Sequence, residues 1–474
     1  MTYSFKLLLL PALLLPACKG DPDAADDVTG DSMTGETGES AGTTGTTGTT
    51  GSGTPTTGED TADAAPTYWQ DVAPIYFDRC VTCHQAGGIA PFRLDEYATA
   101  KLWAAPSASA VAARTMPPWL LTDDGSCGEF HGSRTLAADE IAVIADWAAS
   151  GALEGTVRDD LTVPPLPTLD GGLDLKTPVF TPEIAGGPLA EFDEYRCFLV
   201  DPKIAKDMFL TGYDIKPGNP ALVHHLLAMP VDPAQMLEGG ITNAQRMQAL
   251  DDESPDRDGW PCFSQAGEGV AIQGIPVTWA PGMGMVEYPT DTGVQLAAGT
   301  QVVIQIHYNL HDADLQGQSD QSMLRLRLAD KVARVGFFDL IDPFIDTLYQ
   351  QPPAMLEPGK ESVKFAWSVD IGKYYVGPGQ SQVEVYGIFP HMHERGRKWN
   401  ARLVGDDGEQ CIGDVQGWGF DWQLYYFYEQ PVVVTADMRL DVTCDFNTVG
   451  AEGPVTPGWG TQNEMCLAGL FVVP

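Results

Sequence analysis

Five of the eight histidines in this 474-residue chain stand in short patterns that could hold metal ions. They form an adjacent pair, His224-His225, a single His307 in an apolar run, and a spaced pair, His391-x-His393. Residues i and i+2 of a strand point to the same side, so His391 and His393 could grip one ion. Adjacent histidines point to opposite sides of a regular strand. The first pair could therefore join His307 on one ion only where the strand bulges or ends.

A methionine near the C-terminus bears on the identity of the metal. Met465 lies in a Glu-Met-Cys tripeptide, and its thioether could complete a ligand set with His391 and His393. Two imidazole nitrogens and one sulfur favour copper over zinc or magnesium, whereas three imidazoles suit zinc as well as copper. The spacing of the three-histidine set therefore leaves its metal open.

A second kind of centre is indicated by Cys80-Val-Thr-Cys83-His84, which has the C-x-x-C-H pattern of covalent c-type haem attachment. Two thiols on one helical turn can add to the haem vinyl groups, and His84 then lies under the iron. Met116, followed by two prolines, is the candidate sixth ligand, because Met/His ligation raises the haem potential and suits electron transfer. His131 is the rival sixth ligand. In a cytosolic protein the same cysteine pair could serve zinc or thiol redox chemistry instead.

The N-terminus predicts export. A single Lys6 precedes an apolar run from Leu7 to Ala17, which is too short to span a bilayer and suits a signal peptide over residues 1–17. The tetrad ending at Cys18 resembles a bacterial lipobox, and an ordinary secretory signal is the alternative. We expect lipidation of Cys18 to anchor the protein at the outer membrane or periplasmic face. No later run is long and apolar enough to cross a membrane, so the lipid is its expected membrane contact.

Changes of composition divide the rest of the chain. Residues 18–66 are acidic and rich in Gly and Thr, which predicts a disordered linker. Helical periodicity follows over 67–155, and a Pro-rich joint over 156–184. Short β-type runs bounded by Gly, Pro and Asp then fill 185–335 and 336–474. The expected fold is thus a small all-α domain followed by two all-β sandwich domains.

The charge of the chain excludes one class of partner. Its formal net charge of −38 argues against nucleic acid, because phosphate binding needs stripes of Lys and Arg. The acidic excess is more typical of a solvated surface.

The order of the metal-type motifs resembles a known family. His-His, then Gln-x-His-Tyr, then His-x-His, then Glu-Met-Cys is similar to the copper type II, ascorbate-dependent monooxygenases, such as peptidylglycine alpha-hydroxylating and dopamine beta-monooxygenase. The segment Asp193 to Cys197 resembles the start of that family's first domain. The resemblance runs from about residue 185 to 474, while 67–155 resembles small class I cytochromes c. It implies two jelly-roll-like domains that face each other across an open cleft, with one copper in each.

This resemblance also implies roles for the residues. The electron-relay copper would take His224, His225 and His307, and the oxygen-binding copper would take His391, His393 and Met465. We therefore expect a copper-dependent monooxygenase that hydroxylates a C–H bond of a small organic substrate with O2. Two copper ions and one covalently bound haem c are the expected cofactors. An upstream donor would feed the haem, and the haem would feed the relay copper. The alternative is a non-catalytic haem and copper lipoprotein that transfers electrons or carries copper.

The chain departs from the peptide-amidating members of the family. Phe389 stands where those members have an Arg that holds the substrate carboxylate, and Leu467 and Gly469 replace an Asn and a Tyr. A more apolar substrate than a peptide is therefore expected. The aromatic stretch from Trp418 to Tyr426 is interpreted as sandwich core rather than as a substrate site.

The remaining cysteines are assigned in part. Cys444 and Cys466 occupy positions that resemble a family disulfide beside the methionine ligand, so the resemblance implies that they pair. The pairing of four others cannot be derived from the sequence. They are Cys127, Cys197, Cys262 and Cys411.

Overall fold

The structure is a computed structural model that describes residues 65–184, 193–262, 265–281, 283–310, 312–350, 352–420, 422–460 and 462–474. The expected signal peptide, Cys18 and the expected linker up to residue 64 lie outside the described residues.

Helices are concentrated near the start of the described chain. A π-helical turn, Tyr68–Val72, and short 3-10 turns at Ala313–Leu315 and Thr347–Tyr349 accompany the α-helices. The α-helices are α1 (Ala73–Arg79), α2 (Tyr97–Leu102), α3 (Ala104–Ala112), α4 (Ala138–Ala149), α5 (Asn243–Asp252), α6 (Pro343–Asp346) and α7 (Ile371–Tyr375). Among the described residues, we find no helix of the length and apolar character that a membrane crossing needs.

The helical region has a core of its own. Ile144 and Trp147 form the buried face of α4, in the region where the sequence predicts helical periodicity. The Trp147 ring lies 5.9 Å from that of Tyr68, whose hydroxyl donates to the Leu94 carbonyl. Gly151 ends the helix with a φ of 92°, a left-handed conformation that glycine adopts without steric cost.

Most of the remaining elements are strands. They are β1 (Leu173–Lys176), β2 (Asp193–Val200), β3 (Met208–Lys216), β4 (Val223–Val231), β5 (Trp260–Pro261), β6 (Val277–Trp279), β7 (Val286–Glu287), β8 (Thr292–Leu296), β9 (Gln301–Asn309), β10 (Met323–Ala329), β11 (Arg334–Ile341), β12 (Val363–Val369), β13 (Gln382–His391), β14 (Gly396–Gly405), β15 (Gly408–Val415), β16 (Tyr426–Thr435), β17 (Arg439–Phe446) and β18 (Leu467–Val473).

Within the described residues these strands form three sheets. One sheet has the order β5-β2-β9-β4-β6, and a second has the order β12-β17-β14-β15. The largest runs β1-β10-β3-β8-β11-β18-β13-β16, with β7 paired to β3. The pattern fits the expected β-sandwiches.

The largest sheet crosses the boundary that the sequence places near residue 335. Strand β11 begins at Arg334 and pairs in parallel with β8 on one side and antiparallel with β18 on the other. Strand β1, from the expected Pro-rich joint, pairs with β10 at one end of this sheet. Backbone hydrogen bonds therefore join the two β-rich halves directly.

Disulfides fasten this framework at separate places. In the described chain Cys444 bonds Cys466, the pair that the family resemblance implies. The structure also pairs two sets that the sequence left open, namely Cys197 with Cys262 and Cys127 with Cys411. The last of these joins the segment after Met116 to β15.

Candidate metal centres

Three histidines converge from neighbouring strands. His224 and His225 lie near the start of β4, and His307 lies in β9, the strand beside it. The pairing of these strands shifts register between Val223 and His225, which is the bulge that adjacent histidines need in order to share a ligand site.

The three Nδ1 atoms of this set face one point. They are 3.1 Å apart between His224 and His307, and 3.3 Å apart in the other two pairs. Nitrogens bound about 2.0 Å from one ion in tetrahedral directions lie about 3.3 Å from each other. The geometry of these residues therefore fits a bound metal ion.

Two residues of β2, Asp193 and Tyr195, contact the imidazole of His307. Its Nε2 lies 3.0 Å from Oδ1 of Asp193, and both side chains are buried. The ring of Tyr195 stacks on the imidazole at 4.0 Å between centroids. A carboxylate behind one ring nitrogen leaves the lone pair on the other, so Asp193 favours Nδ1 as the ligand atom.

His391 and His393 can present Nε2 to a metal, whereas the three-histidine set presents Nδ1. Nδ1 of His393 lies 3.0 Å from the carbonyl of Asn463, and a carbonyl can only accept, so this nitrogen carries the proton. Nδ1 of His391 lies 2.7 Å from Oε1 of Gln423, whose amide donates to the carbonyl of Phe420. The Nε2 lone pairs of both rings are therefore available to a metal.

Strand geometry contributes less to this pair than the sequence suggests. His391 is the last residue of β13, and His393 lies beyond the strand in the turn before β14. Their ring centroids are 5.2 Å apart and nearly perpendicular. The turn, rather than a common strand face, brings these imidazoles together.

Glu464 positions the residues beside this pair. Its buried carboxylate accepts the backbone N–H groups of His393 at 2.9 Å and of Arg395 at 2.6 Å. Burial raises the pKa of Glu464 to about 8, and these amides limit the rise. Strand β18 pairs with β13 so that Leu467 lies opposite His391. Met465 is buried two residues before Leu467 and directly follows Glu464.

Both histidine sets line one narrow cavity. Its walls are Tyr195, His224, His225, His307, His391, His393, Phe420 and Trp459, and its volume of about 10 Å³ is roughly that of one water. The described residues thus bring both histidine sets to the walls of one small cavity. A depression of about 590 Å³ elsewhere is lined by residues 251–259, which include none of these histidines.

Phe420 narrows this cavity, because it contacts a histidine of each set. Its ring stacks on His224 at 4.7 Å and meets His393 edge-on at 6.1 Å. The interpretation of the whole aromatic stretch as core is thus wrong for Phe420, although Tyr425 and Tyr426 are buried as expected.

Burial keeps the imidazoles neutral. It lowers the pKa of His224 to about 2 and that of His225 well below its ordinary value, and the neighbouring His307 adds to both shifts. Burial also lowers the pKa of His391 to about 4 and that of His393 to about 3. Neutral imidazole is the form that binds metal ions.

The haem-type motif also has a geometry that fits its expected group. Cys80 and Cys83 are the free thiols among the described cysteines. Nδ1 of His84 lies 3.0 Å from the Phe92 carbonyl, which leaves Nε2 unprotonated for an iron. Nearby, Nη1 of Arg134 and Oγ1 of Thr135 are buried without a hydrogen-bond partner in the described chain. Such donors suit the carboxylates of a haem.

The two candidate sixth ligands lie in different surroundings. Met116 is half-buried, after α3, and precedes a cis-proline. His131 is 78% exposed at its side chain and pairs with Glu429 of β16 at 3.1 Å. The His131 side chain is thus occupied by a contact with β16, and both residues remain predicted candidates for the sixth ligand.

Comparison with protein-family models shows which class of protein part of this chain resembles. Residues 347–472 match the family model described as "Copper type II ascorbate-dependent monooxygenase, C-terminal domain". This range includes His391, His393 and Met465. The family consists of oxidoreductases that use copper.

A relative extends the likeness. The chain is 25% identical over 296 residues to the human protein named "Putative DBH-like monooxygenase protein 2". The match covers 59% of this chain and 53% of the relative, so it spans about half the relative's length. Together, the family model and this relative support the copper type II ascorbate-dependent monooxygenase family.

The solved structures that match this chain resemble it only weakly. Cowpea mosaic virus empty particles cover 64% of this chain and 90% of theirs, with 9% identity and a TM-score of 0.28. The infectious bursal disease virus VP2 particle covers 67% of this chain and 73% of its own, with 11% identity and a TM-score of 0.15. Scores this low carry no argument about the fold.

Proposed function

We propose that this chain is a copper-dependent monooxygenase that hydroxylates a C–H bond of a small organic substrate with O2. One observation carries the proposal. Two histidine sets wall the same cavity, one with Nδ1 atoms that converge and the other with Nε2 lone pairs left available.

The proposed ligands divide between the two sets. One copper would be held by the Nδ1 atoms of His224, His225 and His307, and the other by His391, His393 and the thioether of Met465. When bound, two copper ions would supply the two electrons needed to insert one atom of O2 and release the other as water. Sulfur in the second set favours copper over zinc.

The chain's own residues prepare this cavity. Phe420, Tyr195 and Trp459 narrow it to about the volume of one water, and the smaller amount of solvent strengthens the electrostatic interactions inside it. Neutral imidazoles give up no proton when a metal binds. Gln423 and the carbonyl of Asn463 fix the two Nε2-facing rings by holding their Nδ1 protons.

An apolar substrate fits the surroundings of the second set. Phe389 is buried on β13, and its ring lies parallel to that of His391 at 6.0 Å and to that of Tyr425 at 4.7 Å. Recognition of a carboxylate would need a cation at this position. We therefore propose a small, mainly apolar organic molecule.

The helical region supplies the proposed electron input. Cys80 and Cys83 would carry a covalent haem c with His84 and Met116 as axial ligands, and an upstream donor would reduce it. We further propose export, with a lipid anchor at Cys18 on the outer membrane or periplasmic face. The acidic chain has no nucleic-acid partner in this proposal.

Oxygen consumption tests the function. Protein carrying haem and copper, once reduced, is expected to consume O2 and to place one 18O atom from 18O2 in a small alkyl-aromatic probe. Met465→Ala is expected to slow both reactions, while Met355→Ala, at an exposed methionine, leaves them unchanged. If the reduced, copper-loaded protein does not consume O2, the proposal is wrong and the electron-transfer alternative stands.

A further inference from the structure

Residues 119–131, here called the strap, join the helical region to the C-terminal sheets. Thr122 donates its backbone N–H to the Asp414 carbonyl of β15. His131 donates to the Phe427 carbonyl of β16, and Glu429 of β16 donates to the Glu129 carbonyl. The strap thus lies along both strands as added backbone.

A covalent bond and a ring contact fasten the strap further. Cys127 of the strap forms a disulfide with Cys411 of β15. The Trp119 ring meets the Tyr426 ring edge-on at 4.9 Å, and the Leu120 N–H donates to the Tyr426 hydroxyl at 3.1 Å. This region is therefore fixed against β15 and β16.

Both ends of the strap return to the haem-type motif. Its first residue, Trp119, follows Met116 by three positions. Past its other end, Ser133 accepts a hydrogen bond from Arg79, the residue before Cys80.

The strap also reaches the turn that borders the copper-type sites. A Cβ at Gly419 would lie 3.7 Å from Cδ2 of Leu120, so the Leu120 side chain lies next to this turn. The next residue is Phe420, which touches His224 and His393. Gln423, at the end of the turn, holds His391.

We propose that the strap, with Gly419 and Phe420 of the adjoining turn, forms the electron path from the haem region to both histidine sets, with Phe420 as the contact residue. This inference rests on the proposed function. In each transfer one ferrous haem becomes ferric and one cupric ion becomes cuprous. The path enters through the C-terminal sheets, beside the His391 set, rather than through the β4 and β9 sheet alone.

Flash photoreduction tests the path. Fully oxidised protein with haem and copper bound receives one electron at the haem, without O2 or substrate. The ferrous haem absorbance is followed as it decays, and loss of the cupric electron paramagnetic resonance signal is the second readout. Copper-free protein is expected to keep its haem ferrous on this time scale.

The variants distinguish a slower electron path from a general loss of structure or of bound cofactors. Phe420→Leu is expected to slow haem oxidation about tenfold, a barrier change of about 1.4 kcal/mol, with haem and copper content retained. Phe337→Leu, which alters a half-exposed ring on β11, is the matched control and keeps the wild-type rate. If Phe420→Leu loses copper, the variant with both Cys127→Ser and Cys411→Ser tests the path instead. Neither cysteine contacts a histidine of either set among the described contacts, so copper binding should be retained.

The outcomes distinguish this proposal from the function on which it rests. The proposed path is wrong if haem oxidation in Phe420→Leu, or in the double cysteine variant, keeps the wild-type rate. It is also wrong if the haem of copper-loaded protein stays ferrous. Substrate hydroxylation with an added reductant would then leave the monooxygenase standing. Conversely, electron transfer without any O2 consumption would remove the monooxygenase and keep the path.

Discussion

The carboxylate of Glu464 accepts the backbone N–H of His393 at 2.9 Å, and the residue after Glu464 is Met465. One side chain therefore ties two proposed ligands of the same copper across 71 positions of sequence. Its second oxygen takes the N–H of Arg395, which fixes the turn beyond His393.

Removal of this carboxylate should weaken one copper site and spare the other. Glu464→Ala leaves two buried N–H groups without their acceptor, and we expect copper affinity at the His391 set to fall about 10- to 100-fold. Competition with a copper chelator measures it. Glu429→Ala, at a surface ion pair, is the control. Equal losses at both sites, or unchanged affinity, would contradict this role.

Asp193 should control the other site. Asp193→Asn removes the negative charge beside Nε2 of His307, so copper affinity at the His224 set is expected to fall about 10- to 100-fold. Asp174→Asn, at an exposed pair with Arg325, provides a matched change without an effect on copper. A loss confined to the His391 set would show that the assignment is wrong.

Copper affinity should change little in mild acid. His391 and His393 have folded-state pKa values of about 4 and about 3, below the ordinary 6.5, so their imidazoles stay neutral in the folded protein. Affinity at this site, corrected for the chelator, is expected to stay nearly constant between about pH 7.5 and about pH 5.5. A fall of about tenfold per pH unit would mean that protons compete for these rings.

The same shifts have a consequence for stability. In the unfolded chain these imidazoles take up protons near pH 6.5, whereas in the folded protein they do so only near pH 3 to 4. Their contribution to stability is therefore complete above pH 6.5 and is lost as the pH falls toward 4.

Loss of the strap disulfide should expose the strap. Cys127→Ser with Cys411→Ser is expected to lower the free energy of unfolding by about 2–4 kcal/mol and to open residues 119–131 to proteolysis. The matched variant, Cys197→Ser with Cys262→Ser, removes a disulfide elsewhere and should leave the strap protected. Denaturant titration and mapped proteolysis measure the two effects. A strap cut equally in both variants would contradict its anchoring by Cys127.

The sequence predicts which histidines come together better than it predicts the orientation of their rings. The bulge at His224 follows from the strand rule for adjacent side chains. The nitrogen that faces the metal depends on distant partners, because His391 is held by Gln423 and His393 by the carbonyl of Asn463. Those contacts exist only after β13, β16 and β18 have assembled.

The narrow cavity and the strap could not be predicted from the sequence, because both depend on contacts between residues that are far apart in the chain. An aromatic residue such as Phe420 has the same composition signal in a core as at a site, and only its tertiary neighbours decide. The strap has no strand periodicity of its own, and its backbone pairs with the existing edges of β15 and β16. The Cys127–Cys411 pairing depends on that docking, so spacing could not reveal it.

Metal content tests the central claim most directly. Mature protein, produced in a host that makes c-type cytochromes, is predicted to contain one haem and two copper ions per chain. His393→Ala and His225→Ala should each lose one copper, and Met465→Ala should remove a copper–sulfur signal from the X-ray absorption spectrum. Protein that binds haem but no copper, or takes zinc at both histidine sets, would contradict the account.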